Sequence, residues 1–312
     1  MMSAPMLPAT RGSVAEVFRS WQGEGLLLGR RMVFVRLAGC RVGCRYCDTA
    51  WAFDVPASVA VPRAAAPGAH GTSETGMKAP ATSAPGTEAP ATSAPARDAP
   101  EASAPEASAP VAGTAAARVA NPLDVAAVLA LVAAADPQPA PGGPAPVTIT
   151  GGEPCEQPDF VAALLAELAR GRPGAPAREV MLETSGLHRE ALARLAPRCR
   201  WIAADLKLPS ATGLPDVLAR HEEVLAAGVL PPERTFFKLV ADGDTTDAEV
   251  AAAAALLARH LPRVPVFLQP VTPLGGSPPL PRARLDALAD VLLAAGLDVR
   301  VVPQVHKVLG VR

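Results

Sequence analysis

Apolar runs of strand length alternate with longer amphipathic segments along most of this chain. Arg31–Leu37 (Arg-Met-Val-Phe-Val-Arg-Leu) is rich in β-branched and aromatic residues and predicts a strand. The same signal predicts an earlier strand over Ser13–Phe18. Later ones are expected over Pro146–Thr150, Glu179–Thr184, Trp201–Leu208, Arg234–Val240, Val264–Pro270 and Asp298–Val302. Helical periodicity fills the gaps. A first helix is expected from Asn121-Pro122, read as a cap with Pro at the first helical position, to about Ala135. Others are expected over Pro158–Arg170, His188–Leu195, Pro215–Ala227, Thr246–His260 and Arg282–Ala295. Repeated strand–helix units require right-handed crossovers and a parallel sheet. About six such units can close into a full or partial barrel, with the active site at the C-terminal strand ends.

One stretch breaks the alternation. Residues 56–119 contain Ala-Pro-Ala-Thr-Ser-Ala-Pro twice (79–85 and 89–95) and a Pro-Glu-Ala-Ser repeat over 100–110. Almost nothing large and apolar is present to offset the entropy of ordering it. It reads as a disordered insertion leaning toward polyproline II, splitting one domain that spans 1–312. A tolerated surface insertion is the expected role, so excising 58–118 is expected to preserve activity.

Composition narrows the class. Of 312 residues 49% are hydrophobic, mostly Ala, Val and Leu, so a large core is attainable. No apolar run of about 18 residues predicts a transmembrane helix. No basic region followed by an apolar core marks a secretory leader, and a cytoplasmic protein is expected. A net charge of −1 without a basic stripe argues against nucleic-acid binding. The five cysteines are Cys40, Cys44, Cys47, Cys155 and Cys199. One tight cluster in an odd total fits a metal site in a reducing compartment better than a disulfide framework. Lysine is scarce: of 29 basic residues only Lys78, Lys207, Lys238 and Lys307 are lysines. A Lys kept where Arg is the default points to a need for a compact ammonium.

Chemistry concentrates at the expected strand ends. Cys40-x3-Cys44-x2-Cys47 follows Arg31–Leu37, and Thr150-Gly151-Gly152-Glu153-Pro154 follows the next strand. Glu183-Thr184-Ser185-Gly186, Asp205-Leu206-Lys207, Lys238, Gln269-Pro270 and Gln304-Val305-His306-Lys307 continue the series. Such phasing points to one site at one rim. Three thiolates can hold three irons of a cubane cluster and leave the fourth open for substrate. A zinc site is the alternative, and it needs Cys155 or Cys199 as fourth ligand.

The cysteine spacing, with Tyr46 before the last cysteine, resembles the radical S-adenosylmethionine superfamily, and Gly151-Gly152-Glu153-Pro154 resembles its second motif. The fold implied is the partial (β/α) barrel of that superfamily, with about six to seven mostly parallel strands. A narrower likeness rests on Gln22-Gly23-Glu24-Gly25, Arg36, Cys47-Asp48-Thr49 and the ending Gln304-Val305-His306-Lys307. These segments resemble the 7-carboxy-7-deazaguanine synthases over essentially the whole chain outside 56–119.

That likeness implies a lyase. A [4Fe-4S] cluster on Cys40, Cys44 and Cys47 reduces S-adenosylmethionine to a 5′-deoxyadenosyl radical. The radical takes hydrogen from 6-carboxy-5,6,7,8-tetrahydropterin, whose ring contracts with loss of ammonia. Thr49 matches the family's Mg2+ ligand. Tyr46, Cys47, Asp48, Gly152, Glu153, Glu183, Thr184, Ser185, Asp205, Lys207 and Gln269 match cofactor positions. Trp21, Gln22, Gly23, Glu24, Arg36, Thr150, His306 and the terminal Arg312 match substrate positions. A flavodoxin-like or ferredoxin-like reductant and a homodimer are implied as well. Two other functions compete at this point: an activating enzyme that makes a glycyl radical on a partner protein, and a non-catalytic zinc-binding scaffold.

Overall fold

The sheet expected from the alternation has eight strands in the computed structural model, which describes residues 10–62, 117–138, 140–171, 176–272 and 279–311. They are β1 (Val14–Trp21), β2 (Arg31–Leu37), β3 (Val147–Thr150), β4 (Val180–Thr184), β5 (Trp201–Asp205), β6 (Thr235–Ala241), β7 (Val266–Pro270) and β8 (Val299–Val301). Their order in space is their order in sequence. β1 and β2 pair antiparallel, and every later pairing is parallel. The fold is thus the expected α/β type with a mostly parallel sheet.

The helices are α1 (Val125–Ala135), α2 (Pro158–Arg170), α3 (Arg189–Leu195), α4 (Pro209–Thr212), α5 (Val217–Ala226), α6 (Asp247–His260), α7 (Arg282–Ala294) and α8 (Val305–Val308). A sequential strand order with right-handed crossovers puts the crossover helices on one face. In agreement, α1 packs on α2, α2 on α3, α5 on α6 and α6 on α7. The main core, including Val33, Val35, Ile149, Leu182, Leu239 and Leu268, lies between that layer and the sheet.

No crossover helix can cover the other face, yet it is buried. Phe18, Met32, Phe34, Met181, Ala203, Phe236 and Phe267 form one cluster with contributions from β1, β2, β4, β5, β6 and β7. Phe18 stacks on Phe34 at 5.0 Å, and Phe236 meets Phe267 edge-on at 5.4 Å. Strands so far apart in the sheet order share a cluster only if the sheet curls over itself, as a partial barrel does. Each ring withdrawn from water contributes about 1.5–3 kcal/mol to holding that curl. Gly25 follows β1 with φ +61 and packs directly on the Phe236 ring, where a Cβ would clash.

Period-two alternation then sets the site. Along β2, Met32, Phe34 and Arg36 share the inner face; along β6 the same holds for Phe236, Lys238 and Val240. Each strand therefore carries an apolar residue deep in the barrel and a polar one nearer its C-terminal end. The register aligns Arg36 with Thr150, Asp205 with Lys238, and Gln269 with Val240.

Three expectations need correction. Asn121-Pro122 does not start α1; Asp124 does, accepting from the Ala127 amide at 2.8 Å. Leu123 and Asp124 are extended and pair with Arg11 and Gly12, so the chain cannot be helical there. Asn121 is instead a junction: its amide donates to the Val14 and Pro56 carbonyls at 2.7 and 2.9 Å. The strand expected over Trp201–Leu208 stops at Asp205, after which Pro209 opens a short helix. The bounds of the Ala/Pro/Ser/Thr-rich segment also fall inside ordered structure. Ser58–Ala60 pairs antiparallel with Arg118–Ala120, and the Arg118 guanidinium grips Ser58 through its carbonyl and hydroxyl.

The expected disorder over 56–119 otherwise concerns 63–116, outside the described residues. The described residues belong to one compact unit. Among the described residues no helix is long and apolar enough to cross a membrane.

The small ladder yields a prediction. The Val61 amide donates to the Ala117 carbonyl at 2.8 Å, so the two chain ends already meet. Joining Pro62 to Ala117 through a tight turn is expected to leave the unfolding midpoint in urea unchanged or higher, since a shorter loop costs less entropy. Excision of 58–118 is expected to lower the midpoint, because it removes Ser58–Ala60 and Arg118 and so abolishes the ladder.

Candidate active site

A cavity of about 210 Å³ lies at the C-terminal ends of the strands. Every site residue expected from the sequence within the described residues lines it. From β1 and the loop after it come Trp21, Gln22, Gly23 and Glu24, and β2 supplies Arg36. The cysteine loop supplies Cys40, Cys44, Tyr46, Cys47, Asp48 and Thr49. Thr150, Gly152 and Glu153 follow from β3 and its turn. Glu183, Thr184 and Ser185 come from the end of β4, then Asp205 and Lys207, Gln269 on β7 and His306 on α8. Arg312 lies outside the described residues. Phe18, Phe34, Val42, Phe53, Lys238, Val240, Val271 and Gln304 also line the cavity without having been singled out as ligand contacts. The inner-face phase of β1, β2 and β6 could have found Phe18, Phe34 and Lys238.

The cysteine loop is anchored at both ends. The Gly39 amide donates to Ala52 and its carbonyl accepts from Glu153, both at 2.8 Å. Arg45 reaches Asp242 at 2.8 Å and Asp244 at 2.7 Å, clamping the loop to the segment after β6. Val42 packs on Leu187 and Val217, with Cys40 and Cys44 against the same patch. Burial pushes both of those thiols above their ordinary pKa.

Neither remaining cysteine completes a four-cysteine zinc set. Cys155 Sγ lies against Thr184 Oγ1 at 3.4 Å, and Cys199 Sγ donates to the Leu195 carbonyl at 3.4 Å. Both are buried in the core, as expected of inert thiols; burial drives Cys155 well up and Cys199 to about 12.

The glycine turn after β3 is required by space. Gly151 and Gly152 have φ +65 and +51, and a Cβ would strike Arg36 at the first and the Gly39 carbonyl at the second. Glu153, 1% exposed, accepts from Thr184 Oγ1 and the Ser185 amide at 2.7 Å and from the Cys155 amide at 2.9 Å. Its carboxylate therefore welds the turn to the end of β4.

A chain of alternating charge encircles the cavity. Lys207 Nζ sits 5.2 Å from the Tyr46 ring centroid and 2.8 Å from Asp205. Asp205 is 3.3 Å from Lys238, which is 2.8 Å from Glu24. The Gln304 amide donates to Glu24 at 3.0 Å and to Asp48 at 3.4 Å. Lys307 reaches Asp48 at 3.1 Å and His306 lies 3.8 Å from it. Burial works against ionisation in Asp205, Lys207, Lys238, Glu24 and Asp48, but the partners outweigh it. Lys207 and Lys238 hold Asp205 below the usual carboxylate range, and the two ammonium groups are held well above theirs. His306 and Lys307 likewise hold Asp48 well down.

Beside this circuit, Gln22 donates to Glu183 at 2.9 Å and Thr150 donates to it at 2.5 Å. Arg36 donates to Glu16 at 3.0 Å. Ser185 Oγ and Gln269 Oε1 are buried in the residues around the cavity without a hydrogen-bond partner, and Asp205 Oδ1 is met only by the Lys238 ammonium at 3.3 Å. Such atoms cost about 1–3 kcal/mol each if nothing meets them. Hydroxyl and amino donors of a nucleoside are groups that would satisfy them, so the residues present fit a bound S-adenosylmethionine beside a cluster.

A parallel sheet of this order with a three-cysteine loop and a glycine turn at its rim defines a radical S-adenosylmethionine enzyme. No protein-family model matches the chain. A 7-carboxy-7-deazaguanine synthase from Geobacter sulfurreducens is 30% identical over 298 residues, which is 95% of this chain and 96% of that relative. One from Methanothermobacter thermautotrophicus is 26% identical over 323 residues, covering 97% of this chain and 98% of its own. This chain belongs to the 7-carboxy-7-deazaguanine synthase family, radical S-adenosylmethionine lyases of queuosine biosynthesis that use a [4Fe-4S] cluster. The solved structure of QueE from Escherichia coli is similar at 18% identity and a TM-score of 0.46, covering 93% of each chain.

One buried group missed in the sequence supports the site from below. His221, on α5 and 1% exposed, accepts the Lys207 amide at 2.8 Å on Nε2 and is also hydrogen-bonded to the Gly186 backbone. It staples the end of β4 to the end of β5. Burial, with Lys207 nearby, pushes its pKa down to about 4. A histidine resisting protonation only in the folded state contributes stability that is complete above about pH 6.5 and is lost as pH falls toward 4. The loss expected is about 3 kcal/mol. His221→Gln should flatten this part of the profile, read as the wild-type-minus-variant difference in urea unfolding free energy at pH 7.5 and 4.5.

Proposed function

We propose that this chain converts 6-carboxy-5,6,7,8-tetrahydropterin to 7-carboxy-7-deazaguanine and ammonia, with Mg2+ as a third cofactor. The observation that carries this reading is the single cavity whose one wall is the three-cysteine loop and whose other wall carries Arg36, Gln22 and Glu24. The reaction is a ring contraction with no net oxidation: the pterin loses one nitrogen as ammonia and keeps its carboxylate.

Cys40, Cys44 and Cys47 would hold the cluster. When bound, the reduced cluster and S-adenosylmethionine supply a one-electron route to hydrogen abstraction from the pterin. Asp205, Ser185 and Gln269 would take the cofactor's ribose and adenine donors, which the unpartnered Ser185 Oγ and Gln269 Oε1 favour. Gly152 and Glu153 would receive the methionyl amine: the turn exposes backbone carbonyls, and Glu153 adds negative charge. Thr184, Tyr46, Asp48 and Lys207 shape the remaining cofactor wall. Glu183 accepts from Gln22 and Thr150, which supports reading it as a border residue between cofactor and substrate.

On the substrate side, Gln22 and Glu24 offer the amide and carboxylate that match a pterin's amino and ring N–H edge. Arg36 matches its carboxylate by charge and fork geometry. Trp21, Gly23, Thr150 and His306 complete this wall, and the Arg312 terminus belongs to the reading. Gly23 has no room for a Cβ beside His306, so loop and C-terminal helix meet closely there. Thr49 would hold Mg2+ through its hydroxyl, with water and substrate oxygens completing the shell. The reading includes a cytoplasmic homodimer, reduced by a flavodoxin-like or ferredoxin-like protein, in which the segment around 56–119 interrupts a single domain. Five free cysteines support a reducing compartment.

Protein purified without oxygen is expected to contain iron and sulfide and, given S-adenosylmethionine, reductant and the carboxytetrahydropterin, to release 7-carboxy-7-deazaguanine. An intact cluster with no turnover would reject the substrate. Zinc in place of iron would reject the reaction class. Thr49→Ala should raise the Mg2+ concentration for half-maximal turnover by about tenfold while iron content stays unchanged. A variant with unaltered Mg2+ dependence would remove Thr49 from that role.

A further inference from the structure

The cavity divides about Lys238. Its side chain is 9% exposed and stands 2.8 Å from Glu24 Oε2 and 3.3 Å from Asp205 Oδ1. The two carboxylates are not equally supplied. Asp205 has a second cation in Lys207 at 2.8 Å. Glu24 has no second ion pair among the described residues; its other bonded partner is the neutral Gln304 amide at 3.0 Å. We infer that Lys238 is the positioning residue that keeps Glu24 a carboxylate, and so makes the substrate site select a ring edge that carries hydrogen-bond donors. The inference rests on the reading of Glu24 as a substrate contact and adds the residue that sets its hydrogen-bond polarity.

An ionised carboxylate only accepts, whereas a carboxylic acid also donates. Burial alone drives Glu24 toward the acid. Lys238 is the strongest opposing influence, followed by the Gln304 amide and the more distant His306. The other carboxylates around Lys238 are Asp205 and Glu183, and both keep its ammonium charged against burial. Without the ammonium, Glu24 takes up a proton and presents an O–H where the ligand presents an N–H.

A 2-amino-4-oxopyrimidine edge, as in a pterin, places amino and ring N–H donors side by side. The corresponding 2-oxo edge, as in a lumazine, replaces the amino donor with a carbonyl. A buried acceptor discriminates strongly between these two, because the wrong ligand sets lone pair against lone pair. Stability does not account for the lysine, since buried ion pairs are commonly replaced by apolar residues without loss. Its identity in an arginine-rich chain fits as well: one compact ammonium spans both carboxylates, which a planar fork does not do in the same way.

The test uses the reconstituted holoenzyme under anaerobic conditions. KM and kcat are measured for 6-carboxytetrahydropterin and its 2-oxo analogue between about pH 6 and pH 9. Wild type should show a pterin KM that is flat with pH. Lys238→Met should raise that KM by about tenfold at the acid end, with KM falling again as pH rises and Glu24 loses its proton. Its preference for pterin over the 2-oxo analogue should fall by about tenfold, with a smaller change in kcat. Lys238→Arg, which returns the charge without the same span, should restore part of the preference.

A KM raised equally at every pH with unchanged preference would overturn the inference. Should Lys238→Met not fold, Glu24→Gln is compared with the double variant Glu24→Gln, Lys238→Met. Glutamine does not titrate, so the lysine substitution should then add less than about twofold to KM, and a fully additive loss would overturn the inference. Wild type that does not turn over the pterin at all would overturn the functional reading, and this inference with it.

Discussion

Buried charge that must be paired is the constraint on which this molecule's active end depends. Asp205, Lys207, Lys238 and Glu24 all lie where water is scarce, and an unpaired ion there costs several kcal/mol. Their pairing is satisfied only when β5, β6, the loop after β1 and the C-terminal helix stand in their observed places. The circuit begins at Tyr46, through Lys207, and ends at Asp48, through Gln304. These two residues flank Cys47. The loop that carries the cysteines is therefore tied on both sides of its last cysteine to the same electrostatic ring that lines the pocket.

That ring survives because of what lies beneath it. Phe18, Phe34, Phe236 and Phe267 form an apolar floor on the inner face below the polar level. The two levels are set by one rule, the alternation of side chains along a strand. A slip of one residue in β6 would turn Lys238 and Phe236 outward together and put Phe237 and Leu239 in their place. Aromatic floor and charged rim are thus specified jointly, and neither can drift without the other. The glycine turn obeys a similar economy of space: Gly151 and Gly152 let it lie against Arg36 and the Gly39 carbonyl, where any side chain would push cofactor wall and cysteine loop apart.

Much of this was legible in the sequence because strand and motif share a phase. Arg31–Leu37 forms a strand over the predicted residues, since its branched and aromatic side chains suit a sheet buried on both faces. The motifs at strand ends meet in one cavity for the topological reason that parallel strands present the same end. The failures are equally physical. Asn121-Pro122 looks like a helix start, but its side chain serves the neighbouring strand and α1 takes its cap from Asp124. Ser58–Ala60 and Arg118–Ala120 share the composition of the segment between them, so nothing local marks them as strands. His221 acts through contacts that no local pattern announces, and the phase that marks Lys238 as inward does not announce its partner. The bond from Lys238 to Glu24 spans 214 residues of sequence.

The longest of these contacts explains why the barrel is left partial. β1 and β8 are the edges of the sheet and do not pair with each other. The gap is bridged by Gln304 bonding Glu24 across 280 residues and by the Val305 amide bonding the Gly23 carbonyl at 3.0 Å. Closure by a strand ladder would seal the rim with backbone hydrogen bonds that no ligand could exchange. Closure by a glutamine, a histidine and one backbone bond leaves side chains that can trade partners with a bound pterin. Gln304 already divides its amide between Glu24 and Asp48, one carboxylate on the substrate wall and one beside the last cysteine. On the proposed reading, an incoming ring that claims Glu24 would release that amide toward Asp48. The open edge of the sheet is therefore where the proposed substrate wall and the cysteine loop come under a common hydrogen-bond network.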